Sequence, residues 1–240
     1  MIIKTLGVIL RTLKYSETSV IADIYTEEKG LRSYILSGVR SKNAKVSPGL
    51  IQVTSLVEMV AYDREEASLL RIKEIKSAYT YQSLPFDVPK SAVGMFIIEL
   101  ARKTLKESEE NRPLFRLIFD MLVFLDQTTE PYANLPLSFM LALAAFLGFQ
   151  PHGGDAQEGA CLDLKEGVFT TAPPGHAYYL LPDLAKYILR LLRLDWRQSH
   201  QVAISRADRQ TLTVELLTLY RLHIDNFPVI NSHLVFREVL

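Results

Sequence analysis

Five short runs with the alternation of β-strands follow one another inside the first eighty residues, each closed by turn residues. They are residues 7–14, 19–26, 31–37, 50–62 and 68–76. In the second run Val20, Ala22 and Ile24 share one face, and Ile21, Asp23 and Tyr25 share the other. The third places Arg32, Tyr34 and Leu36 together. Glu27-Glu28-Lys29-Gly30 reads as a hairpin turn in which Gly30 supplies positive φ. So many strands in so little chain leave no room for crossover helices. They call for a small closed barrel, of which the OB-fold is the commonest five-stranded form; an SH3-like barrel has the same strand count.

The texture changes at Tyr79. Pro85 and Pro89 punctuate a short apolar connector, and helical periodicity follows. Helices are expected over 90–106, 112–126, 135–147, 183–195 and 206–225. Pro113 suits the first turn of the second, and Ser205 with Asp208 forms an N-cap pattern for the last. The expected fold is therefore α+β and multi-domain. A five-stranded OB-fold barrel (1–80) precedes an α-helical domain (81–240), which carries an irregular insertion at about 149–180. A loop of that length inside a compact domain is usually functional or the remnant of something functional.

The chain of 240 residues has no net formal charge, but its two parts differ. Residues 1–80 carry 12 Lys and Arg against 9 Asp and Glu; the remainder carries 15 against 18. The sign fits an N-terminal part that faces nucleic acid. A single cysteine, Cys161, excludes an internal disulfide and fits a reducing compartment. Met1-Ile2-Ile3-Lys4 shows no signal-peptide pattern. The most apolar stretch, 135–149, falls short of the roughly 20 residues of a membrane span. A soluble, cytoplasmic protein without membrane contact is expected.

Between the third and fourth strands, residues 38–49 hold Arg40, Lys42 and Lys45 with no acid and with turn residues at both ends. Barrels with a basic loop grip single-stranded nucleic acid by lining the backbone with cations and stacking bases on flat rings. Arg11, Lys14 and Arg32 would extend such a track, and Tyr25 and Tyr34 would supply rings.

The chain also resembles a known family. The run Val8-Ile9-Leu10-Arg11, Tyr15-Ser16-Glu17, Val20-Ile21, Tyr25-Thr26-Glu27-Glu28-Lys29-Gly30 and Gly38-Val39-Arg40-Ser41-Lys42 resembles the N-terminal domain of the RecO family of bacterial DNA repair proteins. The likeness continues through Leu50-Ile51-Gln52 and Leu56-Val57-Glu58 into the helical part. It implies a recombination mediator of the RecF pathway. Such a mediator binds single- and double-stranded DNA, anneals complementary strands, and with RecR assists RecA onto single strands coated by single-strand binding protein (SSB). It implies no bond-making activity and no cofactor. The other class open to such a barrel is a protein-interaction adaptor that never touches DNA.

Many members of the family carry two Cys-x-x-Cys pairs for zinc. Here the corresponding region offers only His152, Cys161 and His176, none of them paired, so no metal is expected. Residues 162–169 read instead as a hairpin held by packing. In the helical part Lys186, Arg190, Arg193 and Arg197 recur at helical spacing. That face would suit the acidic C-terminal tail of SSB, or it is a solvated helix face. Walker, Rossmann, zincin and nucleophile-elbow patterns are absent from the sequence.

Overall fold

The computed structural model describes residues 1–39, 46–63, 67–105, 110–153 and 156–239. Packing divides the chain into two compact units, 1–127 and 128–240. The strand-to-helix change at residue 80 is therefore not the packing boundary, because two helices share the unit of the strands.

In the first unit, β1 (Ile2–Lys14), β2 (Val20–Thr26), β3 (Gly30–Leu36), β4 (Leu56–Tyr62) and β5 (Leu70–Ser77) close into a barrel of order β1-β2-β3-β5-β4. All pairings are antiparallel except β3 with β5, the arrangement of an OB-fold. The alternation of β2 decides its two faces: Val20, Ala22 and Ile24 enter the barrel core with Ile9, Tyr34, Val57 and Met59. Gly30 takes φ +61, as a tight β2–β3 hairpin requires. Gly7 is equally constrained, since a Cβ there would lie 2.6 Å from the Ile24 side chain.

The expected long fourth strand is shorter than its apolar run. Pro48–Ile51 forms a 3-10 turn whose Ser47 side chain accepts the Gly49 N–H, and Ile51 plugs the core. Thr54 then adopts φ +78, a conformation that disfavours a β-branched residue. The Thr54 N–H donates to Ile9 O at 3.0 Å, and the Tyr81 hydroxyl donates to Thr54 O at 2.7 Å. These tertiary bonds, invisible in the local sequence, start β4 only at Leu56.

α1 (Val88–Thr104) and α2 (Arg112–Gln127) complete the unit. Asp87 caps α1, its side chain accepting from Lys90 N–H. The connector between barrel and helix is pinned by Asp126, a buried carboxylate. It accepts backbone N–H groups from Gln82, Ser83 and Leu84 at 2.7–3.1 Å and the Tyr79 hydroxyl at 2.8 Å. Burial opposes its charge, but these donors outweigh burial and hold the carboxyl below its usual range.

The second unit contains α3 (Leu135–Phe146), α4 (Pro182–Leu192), α5 (Arg206–His223) and α6 (Ser232–Val239). α3 is buried almost throughout, which explains its lack of a polar face. The buried Tyr220 of α5 donates its hydroxyl to Met140 O at 2.7 Å. The Ser205 cap of α5 is present, accepting from Asp208 N–H. The irregular segment holds a three-stranded sheet, β6 (Cys161–Asp163), β7 (Val168–Thr170) and β8 (Tyr179–Leu180), in the order β7-β6-β8. No helix among the described residues is long and apolar enough to cross a membrane.

Candidate nucleic-acid interface

The outer surface of β1, β2, β3 and β5 is ordered in rows by strand register. One row runs Leu13, Ile21, Ile35, Arg71. The next runs Arg11, Asp23, Ser33, and a third contains Val8, Tyr25 and Leu31. Their fates differ. Val8 and Tyr25 are fully buried although they point out of the barrel, and Phe115 of α2 packs on the Tyr25 ring with centroids 6.1 Å apart. Arg112 and Arg116 on the same helix pair with Glu28 and Glu27 of the β2–β3 turn at 2.7 and 2.6 Å. α2 therefore covers one end of this surface.

The other end is open. Leu13 is 46% exposed, and Lys14 and Arg71 reach solvent. Neither cation meets a carboxylate among the described residues. Arg11 is partly engaged: its Nε donates to Asp23 Oδ2 at 2.6 Å, while Ser33 Oγ donates to Asp23 Oδ1 at 2.7 Å. The root of the basic loop lies at this end as well. Val39 is buried in the core and its N–H donates to Thr18 O in the β1–β2 turn at 3.0 Å. Gly38 leaves β3 at φ +76, where a side chain would be strained. Arg40, Lys42 and Lys45 themselves lie outside the described residues.

Three of the expected site residues belong elsewhere. Tyr25 is 2% and Tyr34 0% exposed, so neither ring can receive a base as the protein stands. Tyr25 is covered by α2, and Tyr34 faces the barrel core. Burial pushes both phenols up to about 12. Arg32 is in register with Ile24 and shares Tyr34's inward face, and its Nε is buried without a hydrogen-bond partner among the described residues. Nor do Arg11 and Lys14 form one track: Arg11 lies opposite the outward Asp23, whereas Lys14, at the exposed tip of β1, lies opposite the inward Val20. Arg71, which sequence reasoning missed, joins the outer row of Leu13 and Ile21 through its pairing with Ile35. A parallel pairing between distant strands leaves no local signal in sequence.

The four cations expected on one helical face are divided, Lys186 and Arg190 lying on α4, Arg193 at its C-terminal cap and Arg197 on a 3-10 turn at Trp196–Gln201, and each is engaged within its own unit. Arg190 donates to both oxygens of Glu158 at 2.7 Å, an arrangement that holds its pKa above the ordinary value. Arg193 donates to Ala156 O at 2.6 Å. Arg197 stacks 4.0 Å over the Trp196 ring, and Lys186 sits 5.1 Å from the Tyr187 ring.

The donor set of the irregular segment does not fit zinc. Cys161 is buried in β6, His152 is held in a bridge to Val168, and His176 Nε2 lies 3.2 Å from Asp163 Oδ2. Among the described residues no three His, Cys, Asp or Glu side chains cluster as a metal site. Asp163 is instead a hydrogen-bond hub, accepting Lys165 and Glu166 N–H groups on its other oxygen.

Comparison with known proteins agrees with this architecture. Residues 1–81 match the family model "Recombination protein O N terminal", and residues 85–230 match "Recombination protein O C terminal". The chain belongs to the RecO family. It is 37% identical over 239 residues to the DNA repair protein RecO of Phocaeicola vulgatus, covering 100% of this chain and 99% of that one. It is 36% identical over 240 residues to that of Bacteroides fragilis, with the same coverage. RecO of Flavobacterium johnsoniae is 30% identical over 243 residues, with 99% and 98% covered. Membership supports a role in DNA repair and recombination for a chain whose barrel has the OB arrangement.

Proposed function

We propose that this chain is a recombination mediator that binds single- and double-stranded DNA at the open end of its barrel and anneals complementary strands. With RecR it would assist RecA onto SSB-coated single strands, at the nucleoid and without bond-making chemistry of its own. The observation that carries this reading is the open end of the barrel, where the outer row ends in Arg71, β1 ends in the exposed Lys14 and the 38–49 loop is rooted, while α2 covers the other end. Unpaired cations beside an open strand face are what phosphate backbones require.

The acidic tail of SSB remains the partner proposed for the helical part. Its place on α4 has little to recommend it, because those cations are occupied at home. Fluorescence anisotropy with a labelled single strand tests the core reading. Binding through three to five phosphates gives a log–log salt slope of roughly −2 to −4. A chain that binds neither single nor double strands is a protein adaptor, and the reading fails.

A further inference from the structure

Residues 1–77, to the end of β5, hold four tyrosines, and the structure gives them different employment. Tyr25 and Tyr34 are buried. Tyr62 is 41% exposed and pairs in register with Ile2 on the β1–β4 surface. The cations of that surface, Lys4 and Lys76, are neutralised by one carboxylate, Glu58, at 2.6 and 2.9 Å. Tyr15 is 60% exposed, and its side chain has no partner among the described residues.

Tyr15 is nevertheless held firmly by its backbone. Its N–H donates to Ser19 O at 3.0 Å, continuing the β1–β2 ladder one pair past Lys14 and Val20. Ser16 closes the turn, its N–H donating to Ser19 O and its Oγ accepting Ser19 N–H at 3.1 Å. Strand alternation puts Tyr15 two residues beyond Leu13, on the side of the open Leu13–Ile21–Ile35–Arg71 row. The same turn receives Val39 N–H through Thr18 O, which sets Tyr15 beside the root of the basic loop. Glu17, the acid of the turn, is exposed and unpaired among the described residues.

We infer that Tyr15 is the base-stacking residue of this surface, receiving the face of an unpaired nucleobase while Arg71 at the far end of the row meets a phosphate of the same strand. The inference rests on the DNA-binding reading above. A rigid turn supplies a ring at little entropic cost, and any base offers a face, so stacking here is indifferent to sequence. Bases inside a duplex have no free face, so Tyr15 acts on single strands alone.

The test uses the full chain, its Tyr15→Ala and Tyr15→Phe variants, and three labelled probes: an oligothymidylate, an abasic strand of the same length, and a duplex. Tyr15→Ala should lose roughly 5- to 150-fold in affinity for oligothymidylate, the effect of one base on one ring. Tyr15→Phe should bind as the parent does, and all three proteins should bind the abasic strand and the duplex alike. Equal oligothymidylate affinity for the parent and Tyr15→Ala overturns the inference, as does an equal loss on the abasic strand. A parent chain that binds none of the probes overturns the DNA-binding reading itself and the inference with it.

Discussion

The two ends of the barrel's outer surface are made of the same strands but have opposite chemistry. At the end covered by α2, Tyr25 is packed on Phe115, and Arg112 and Arg116 are paired. At the open end Lys14, Tyr15 and Arg71 have no charged or ring partner among the described residues. Folding has used up the first set of groups and left the second available. The difference teaches that charge or aromaticity is no sign of a binding site until its partners inside the chain are counted. Lys186 and Arg190 of α4, with Arg193 and Arg197 beyond it, make the same point, since the four read as a candidate site in sequence and are engaged in the structure.

This contrast should separate stability from binding. On the covered side, Tyr25→Ala removes a buried ring and should lower stability by about 3–5 kcal/mol, measured by denaturant titration. Protein that remains folded should keep its DNA affinity. A large loss of affinity at unchanged stability would mean that Tyr25 contacts DNA after all.

Asp126→Asn comes next, at about 2–3 kcal/mol, because a charge-assisted set of backbone bonds is weakened. Its folded pKa is depressed relative to the unfolded carboxyl, so its contribution is present above about pH 4 and is lost as pH falls through the folded value. Melting temperatures from pH 6 down to pH 2 should therefore fall more steeply in the parent than in Asp126→Asn. Parallel curves would contradict the assignment.

On the open side, Lys14→Glu and Arg71→Glu should each weaken single-strand binding by roughly tenfold at moderate salt and flatten the salt slope. Their melting temperatures should stay near that of the parent, since neither residue has a partner to lose among the described residues. The smallest effect belongs to α4. Arg190→Ala breaks an exposed pair with Glu158, and exposed pairs contribute little to stability. DNA affinity should not move. A clear loss of DNA affinity in Arg190→Ala would show that the helical face, not the barrel, holds the strand.

Much of the fold was legible because strand alternation reports on burial. Val20, Ala22 and Ile24 turned inward as their pattern required, and Gly30 sat where a hairpin needs it. Local pattern could not say which outward face a helix would later cover, and so Tyr25 was misjudged. Nor could it show that Arg32 turns inward beside Tyr34, or that β5 would bring Arg71 to Ile35. The early end of the fourth apolar run depended on Thr54, whose φ is set by bonds to Ile9 and Tyr81. The short helix α6 escaped notice because eight residues carry too little periodicity.

The central claim is that the open end of the barrel holds DNA and that the 38–49 loop supplies much of the grip. Its most direct test is annealing of complementary, SSB-coated strands without nucleotide, by the parent chain and by the triple variant Arg40→Glu, Lys42→Glu, Lys45→Glu. The account predicts rapid annealing by the parent and nearly none by the variant, at equal melting temperature. A variant that anneals as fast as the parent would contradict it.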